Sequence, residues 1–433
     1  MIDKIEKRNL ILLFLLSPIL GLISLLKIKD ENSIIFFGTL FFGLLGSVFV
    51  YVSGTDGYSH LMNAQNNYLN MSFEEFFEKS FEIFSFNSTS GSTDLYLHCI
   101  KFFSSSLLQS PTLIHVFTGL VLGYFFIKSV LLVLKDNIFD KKSYILLGFI
   151  FLFLLIRSVG ALNSIRMWTG MWVLFYGTYS FAITKNKKYF LVILFSVFVH
   201  FSYVVVLIPI VLSYLFQNSK KVLVALYIIS FFTSVSFSYF SAYLPKSDLL
   251  ENKQKYNVID SDEKAGLFKE RAISSQVEKS NLNFYKASGE LNYLNYSIVG
   301  LSAILLFFYF KSSVDLSFKF LIATGIGLYT FANFVAFSPS LQGRVKMIAA
   351  TFILAAAIHL ICTIKKYKLN NVNLNILNRV LTLFLISSIP MALFQISYIF
   401  QNISFFLLLF PQLSWFIGDS DISIRTAIGF FID

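Results

Sequence analysis

The chain has 433 residues, of which 56% are hydrophobic and only 14% charged, with a net charge of +11. A soluble domain carries about 25% charged residues, whereas here the apolar residues run in blocks of roughly 18 to 25, enough to cross about 30 Å of hydrocarbon. The positive charge sits in short lysine clusters between those blocks, where it marks topology and is no signal for nucleic acid. The two cysteines, Cys99 and Cys362, cannot build a disulfide framework or a zinc site.

In chain order, hydrophobic spans are predicted near 9–26, 33–52, 112–134, 143–156, 167–184, 189–215, 222–244, 291–310, 318–336, 345–364 and 380–400. The expected fold is therefore an all-α integral membrane protein of about eleven spans, with residues 1–433 forming one polytopic domain. The first block, Leu10 to Leu26, lacks a small-residue cleavage site and reads as a retained helix. A last apolar stretch, Ile403 to Ile417, is interrupted by Pro411 and is short enough to lie in the interface or to dip in and return. Two long polar segments, 53–111 and 245–290, break the pattern. Within the first, Phe73, Phe76, Phe77, Phe81 and Phe84 share a helical face while Glu74, Glu75, Glu78 and Glu82 lie elsewhere. That pattern predicts an amphipathic helix lying on a membrane surface.

Lysines at 27–29, 135–142, 185–188, 220–221, 311–319 and 365–368 mark the inside, which puts both long segments outside. One apolar block, 189–215, then lies between two inside clusters. A single crossing cannot return to its own side, and 27 residues are too few for two. A re-entrant hairpin with two arms of about 13 residues, each roughly 20 Å long, fits, with its tip at His200-Phe201-Ser202. The alternative is one tilted helix, with the parity repaired elsewhere.

Arginine is scarce, with seven residues against 28 lysines. Arg157, Arg166 and Arg344 fall at predicted outer boundaries, where positive charge is normally depleted. A guanidinium is a planar, permanently charged fork that suits phosphate oxygens, so the three are candidates to bind a diphosphate. Each could instead snorkel to lipid headgroups. His200 lies within an apolar stretch and is a candidate general base or a hydrogen-bonded core residue. Asp56 and Asp94 are the outer carboxylates near membrane boundaries, too few and too scattered for a magnesium site. No metal or other cofactor is expected. No P-loop, G-x-G-x-x-G or H-E-x-x-H occurs, so nothing points to ATP-driven work.

Taken in order, several motifs resemble a known family. They are Gly54-Thr55-Asp56-Gly57-Tyr58 after the second span, then Asn163-Ser164-Ile165-Arg166 opening a helix, and the basic turn Lys185 to Lys188. Phe198-Val199-His200-Phe201-Ser202 and, late in the chain, Gly343-Arg344-Val345 complete the series. The series is similar to the EpsG-type branch of Wzy polysaccharide polymerases, over residues 33 to 365. The chain departs from that family in having Arg166-Met167-Trp168-Thr169 where Arg-Gln-x-x-A is common, and in the length of the segment at 245–290.

The resemblance implies a GT-C-like multi-span bundle in the bacterial inner membrane with its active site facing the periplasm. It implies a glycosyltransferase that moves a growing glycan from undecaprenyl diphosphate onto the next lipid-linked repeat unit. The implied partners are the lipid-linked donor and acceptor, the membrane lipids and a chain-length regulator protein. In that reading His200 and Asp56 are catalytic, and Arg166, Arg344 and Arg157 hold the diphosphate. Tyr58, Tyr68, Tyr96 and Asn163 are of the types that stack on and hydrogen-bond sugars. The competing readings are an O-antigen ligase with the same donor, a sugar O-acyltransferase, and a lipid-linked glycan flippase with no chemistry.

Overall fold

The computed structural model describes residues 4–25, 30–52, 55–85, 94–134, 143–240, 290, 292–310, 315–336, 338–364, 371–405 and 422–432. The loop expected at 245–290, apart from its last residue, lies outside the described residues. So do the lysines at 27–29, 135–142, 311 and 365–368, and the stretch 406–421 that contains Pro411.

The described residues are helical, and their only extended pairings are isolated bridges at Phe49–Ile403 and Ser404–Ser423. In order come α1 (Lys4–Leu16), α2 (Pro18–Leu25), α3 (Glu31–Ser47), α4 (Asp56–Tyr68), α5 (Phe73–Phe84), α6 (Leu95–Lys101) and α7 (Leu113–Leu134). They continue with α8 (Tyr144–Leu155), α9 (Ile165–Thr184), α10 (Lys188–Val199), α11 (Tyr203–Phe216) and α12 (Lys220–Phe240). The last are α13 (Ile298–Tyr309), α14 (Leu316–Phe334), α15 (Pro339–Thr363), α16 (Asn371–Ser387), α17 (Ile389–Asn402) and α18 (Ile424–Ile432).

Three helical runs among the described residues are long and apolar enough to cross a membrane: α7, α8 continued to Leu162, and Ser340–Thr363 of α15. A fourth forms if α16 and α17, bent by 40° at Ser388, are one span. Other expected spans are shortened for identifiable reasons. The block at 9–26 is two helices and not one, because Pro18 has no N–H to continue the ladder and suits a first helical position. The block at 380–400 belongs to a longer run, 371–402, broken where Pro390 follows Ser388. The block at 189–215 breaks at His200-Phe201-Ser202, the expected tip, into arms of 12 and 14 residues.

The chain divides into two compact units. The first comprises residues 1–140, 154–204 and 395–433, and the second comprises 141–153 and 205–394. Each wraps one helix on all sides. In the first unit every residue of α9 from Met167 to Ser180 is buried. In the second, α15 is buried without interruption from Val345 to Ile358. A helix apolar all round belongs in a core or a membrane.

In the first unit α3 and α7 pack backbone to backbone. Gly119 and Gly123 of α7 lie against Phe42, and Gly46 of α3 lies against the carbonyl of His115. Small residues at i and i+4 permit this approach, as in other close helix pairs in lipid. A Cβ at position 46 would sit 2.0 Å from the His115 oxygen, so the backbones themselves would have to part. Gly46→Val is expected to cost more than the roughly 1–3 kcal/mol of ordinary overpacking. Thermal unfolding of the detergent-purified protein would show this, and an unchanged melting temperature would refute it.

The second unit is stitched by internal polar pairs. Tyr227 and Ser302 hydroxyls are 2.8 Å apart, Asn333 donates to Ser230 at 3.0 Å, and Lys346 donates to Asn295 at 2.8 Å. Asp315 caps α14 through the Phe318 N–H and also pairs with His359 Nε2 at 2.7 Å.

Helix α5 forms as its pattern predicts, opened by a reciprocal capping box between Ser72 and Glu75. Its phenylalanines divide. Phe73, Phe77, Phe81 and Phe84 are exposed, while Phe76 turns inward to stack on His98 at 4.7 Å and on Phe102 at 4.2 Å. The expected surface helix is therefore fastened to the first unit by Phe76, with Phe73 edge-on to Phe102 at 5.2 Å and Ile83 buried.

Candidate active site

The site lies in the first unit, where α4, α6, α9 and α10 each contribute one end. Asp94 is the N-cap residue of α6, in extended conformation, but its carboxylate makes no capping bond to that helix. It accepts from Arg166 Nη1 at 2.6 Å, from His200 Nδ1 at 3.0 and 3.1 Å, and from the Phe201 N–H at 2.8 Å. Arg166 is the second residue of α9. His200 ends α10 in an extended conformation that stops the helix. That break releases the Phe201 N–H from the helical ladder and aims it at the carboxylate. The side chain of Asp94 is fully buried, while His200 is 14% and Arg166 32% exposed.

The roles follow from these bonds. An ionised carboxylate only accepts, so Nδ1 of His200 carries a proton, and in the neutral ring Nε2 is the nitrogen with the lone pair. Nε2 makes no hydrogen bond to any described residue. Burial works to raise the Asp94 carboxyl. The hydrogen bond and charge of His200, the Arg166 guanidinium and the Phe201 N–H outweigh it, and the group is held below the usual carboxylate range. The arrangement is an oriented base: a histidine fixed by an ionised carboxylate, beside a partly exposed cation.

The other expected site residues sort differently. Asp56 is exposed in the first turn of α4, accepts from the Ser164 hydroxyl at 3.0 Å, and makes no hydrogen bond to His200; the partner of that histidine is Asp94. Asn163 is buried and acts as a latch. Its Oδ1 accepts the Gly57 N–H at 2.9 Å and its Nδ2 donates to the Tyr398 hydroxyl. A Cβ at Gly57 would sit 2.8 Å from that Oδ1, so the close approach requires glycine. Tyr68 and Tyr96 are buried too. His98 donates from Nε2 to the Phe76 carbonyl, so its Nδ1 accepts the Tyr68 hydroxyl at 2.8 Å. Of the four residues expected to meet glycan, only Tyr58 is partly open to solvent. The others are spent on the protein's own packing, because the described parts of the 53–111 segment form packed helices.

Arg157 adopts a left-handed conformation with φ 46°, stacks its guanidinium 4.3 Å over Trp168, and accepts Trp172 Nε1–H at its carbonyl. Those contacts tie it to α9. Arg344 belongs to the second unit and is exposed on the second turn of α15.

Two further residues stand close to the cluster. Lys101, at the end of α6, is buried and donates to Asn63 Oδ1 at 2.6 Å, with the Tyr68 ring 5.6 Å away. His60 of α4 is within electrostatic reach of Lys101, Arg166, His115 and Asp94. Burial, then the cations, push it down to about 3, so it is neutral. Neither carries a sequence motif. Asp94 stands out only as a carboxylate opening the apolar run Leu95-Tyr96-Leu97, and its partners lie 72 and 106 residues away.

Among the described residues no three histidine, cysteine or acidic side chains gather as metal ligands. In comparisons with models of protein families, with characterised proteins and with solved structures, no match to this chain is found.

Proposed function

We propose that the chain is an integral membrane glycosyltransferase of GT-C-like architecture with about eleven spans. In this reading it polymerises undecaprenyl-diphosphate-linked repeat units at the outer face of the bacterial inner membrane. The observation that carries the reading is the His200–Asp94 pair beside Arg166, with Nε2 open. The order of the motifs from Gly54 to Arg344 supports it, as does the supply of shorter apolar helices beside the full-length ones.

The chemistry asked of the site is balanced and simple. A hydroxyl oxygen of the acceptor sugar attacks the anomeric carbon of the donor. The bond from that carbon to the diphosphate oxygen breaks, and lipid diphosphate leaves with the electron pair. His200 Nε2 takes the hydroxyl proton. Arg166 meets the negative charge that grows on the leaving group. Diphosphate needs little acid help, so the weak partner is the hydroxyl, and that is where an oriented base counts.

Deleting the gene separates the readings. Single repeat units retained at the cell surface, without long chains, are the expected outcome. Long polymer left unattached would mean a ligase, and repeat units trapped inside would mean a flippase.

The topology has its own test. Arms of 12 and 14 residues reach about 18 and 21 Å, each short of the hydrocarbon thickness. A re-entrant segment at 189–215 returns the chain to the inside, so Ser219→Cys in a background lacking Cys99 and Cys362 is expected to react with thiol reagents only from the inside. Labelling from the outside would replace the hairpin by one plain crossing.

A further inference from the structure

The first unit holds a buried cation that the reaction as described does not use. Lys101 is 5% exposed, and no described carboxylate lies within ion-pair distance of it. Its ammonium donates to a neutral amide oxygen, Asn63 Oδ1, and sits against the Tyr68 ring. A buried ammonium is normally paired with an anion, because neutral partners repay only part of its lost hydration. Around it the cations outnumber the carboxylates. Arg166 is already shared with Asp94, the one buried carboxylate among the described residues, and the neighbouring imidazole of His60 is neutral. The cluster therefore carries one surplus positive charge, and that charge belongs to Lys101.

We propose that Lys101, aligned by Asn63, is the site's anion-binding cation and takes the phosphate oxygens of an anionic ligand beside Arg166. This deepens the glycosyltransferase reading and rests on it for the identity of the natural ligand, the lipid diphosphate. It divides the labour: Asp94 sets up the base, while Lys101 joins Arg166 in answering the ligand's charge. Lysine suits the task as a compact charge that needs no planar partner.

The protonation of Lys101 makes the proposal readable by pH. Burial, then the charge of Arg166, bring its ammonium down to about 8. The groups facing it are Tyr68 and His60 from α4, Arg166 from α9 and His98 on its own helix. A lysine binds anions in its protonated form, so affinity falls as pH rises through about 8. Arginine at 101 would stay charged throughout.

The test is binding of inorganic pyrophosphate to the purified full-length protein by calorimetry. Lys101→Met is expected to weaken binding at least tenfold at pH 7, in protein that elutes as a single species and melts near the wild-type temperature. Lys101→Arg is expected to bind at pH 7 and to hold its affinity between pH 7 and 9, where the wild type loses it; comparing the two at each pH cancels the titration of pyrophosphate itself. Unchanged binding by Lys101→Met, or no binding by the wild type, would overturn the proposal. Wild-type protein that binds pyrophosphate but makes no polymer would sink the glycosyltransferase reading and leave this anion site standing. Polymer made at the normal rate by Lys101→Met would remove Lys101 alone.

Discussion

His200→Gln is expected to make no polymer while remaining folded, inserted and able to bind the donor lipid. Glutamine is close to histidine in reach and can still offer its amide N–H to Asp94, so the contact that orients position 200 is kept. What it lacks is a basic nitrogen where Nε2 stands. Loss of proton removal in the transition state is worth about 10²- to 10⁴-fold, enough to abolish long chains. Asp94→Asn is the companion variant. An asparagine amide presents an N–H where Nδ1–H expects an acceptor, which favours the tautomer with Nε2 protonated and therefore useless as a base. It should lower turnover by a similar factor with little change in donor binding. Polymer of normal length from His200→Gln would make the pair a structural tie, and Asp56, exposed in the first turn of α4, would become the better candidate for the base.

Arg166→Lys is expected to be almost as inactive as Arg166→Ala, but for a different reason. Lysine keeps a positive charge for Asp94 and so keeps the protein level. It loses the planar fork, of which Nη1 is committed to Asp94 at 2.6 Å and the rest is available to a phosphate oxygen. Losing a charge-assisted contact of that kind removes about 2–4 kcal/mol, or about 30- to 1000-fold in rate. Arginine to alanine does more harm upstream, because it leaves a fully buried carboxylate held only by His200 and the Phe201 N–H. Its expected signature is low protein yield as well as low activity. Normal polymerisation by Arg166→Lys at equal protein level would confine Arg166 to anchoring Asp94.

What could be read from the residues was largely what local physics dictates. The break at His200-Phe201-Ser202 follows from a block too long for one arm and too short for two spans, and the helix stops there. The phenylalanine periodicity of 73–84 is a helix. Even so, Phe76 belongs to the interior and its neighbours to the surface, a division that a helical wheel cannot make. The breaks near Pro18 and Pro390 come from prolines inside apolar blocks, which block length alone does not register. The 53–111 segment misleads because its polar average hides helices with buried faces: Leu61, Ala64 and Tyr68 on one, Tyr96, Leu97 and Lys101 on another. Most of all, the partnership of Asp94 with Arg166 and His200 joins three helix ends distant in sequence. No spacing rule reaches across 72 or 106 residues, so the histidine, the arginine and the carboxylate could each be suspected singly, but not as one set.

That separation also sets a timetable for biosynthesis. At about 5 to 20 residues per second, His200 leaves the ribosome about 5 to 20 s after Asp94, and Arg166 in between. Until Arg166 emerges Asp94 has no permanent partner, and a lone carboxylate in hydrocarbon is costly. Helix α6, at seven residues, is too short to be committed to the bilayer on its own, so it can wait in water at the surface until α9 and α10 are in place. Docking of α6 therefore waits on α9 and α10, and the unit closes only when 395–433 follow. A chain truncated before residue 166 would expose an unpaired acid at the membrane surface, a mark that membrane quality-control proteases could read.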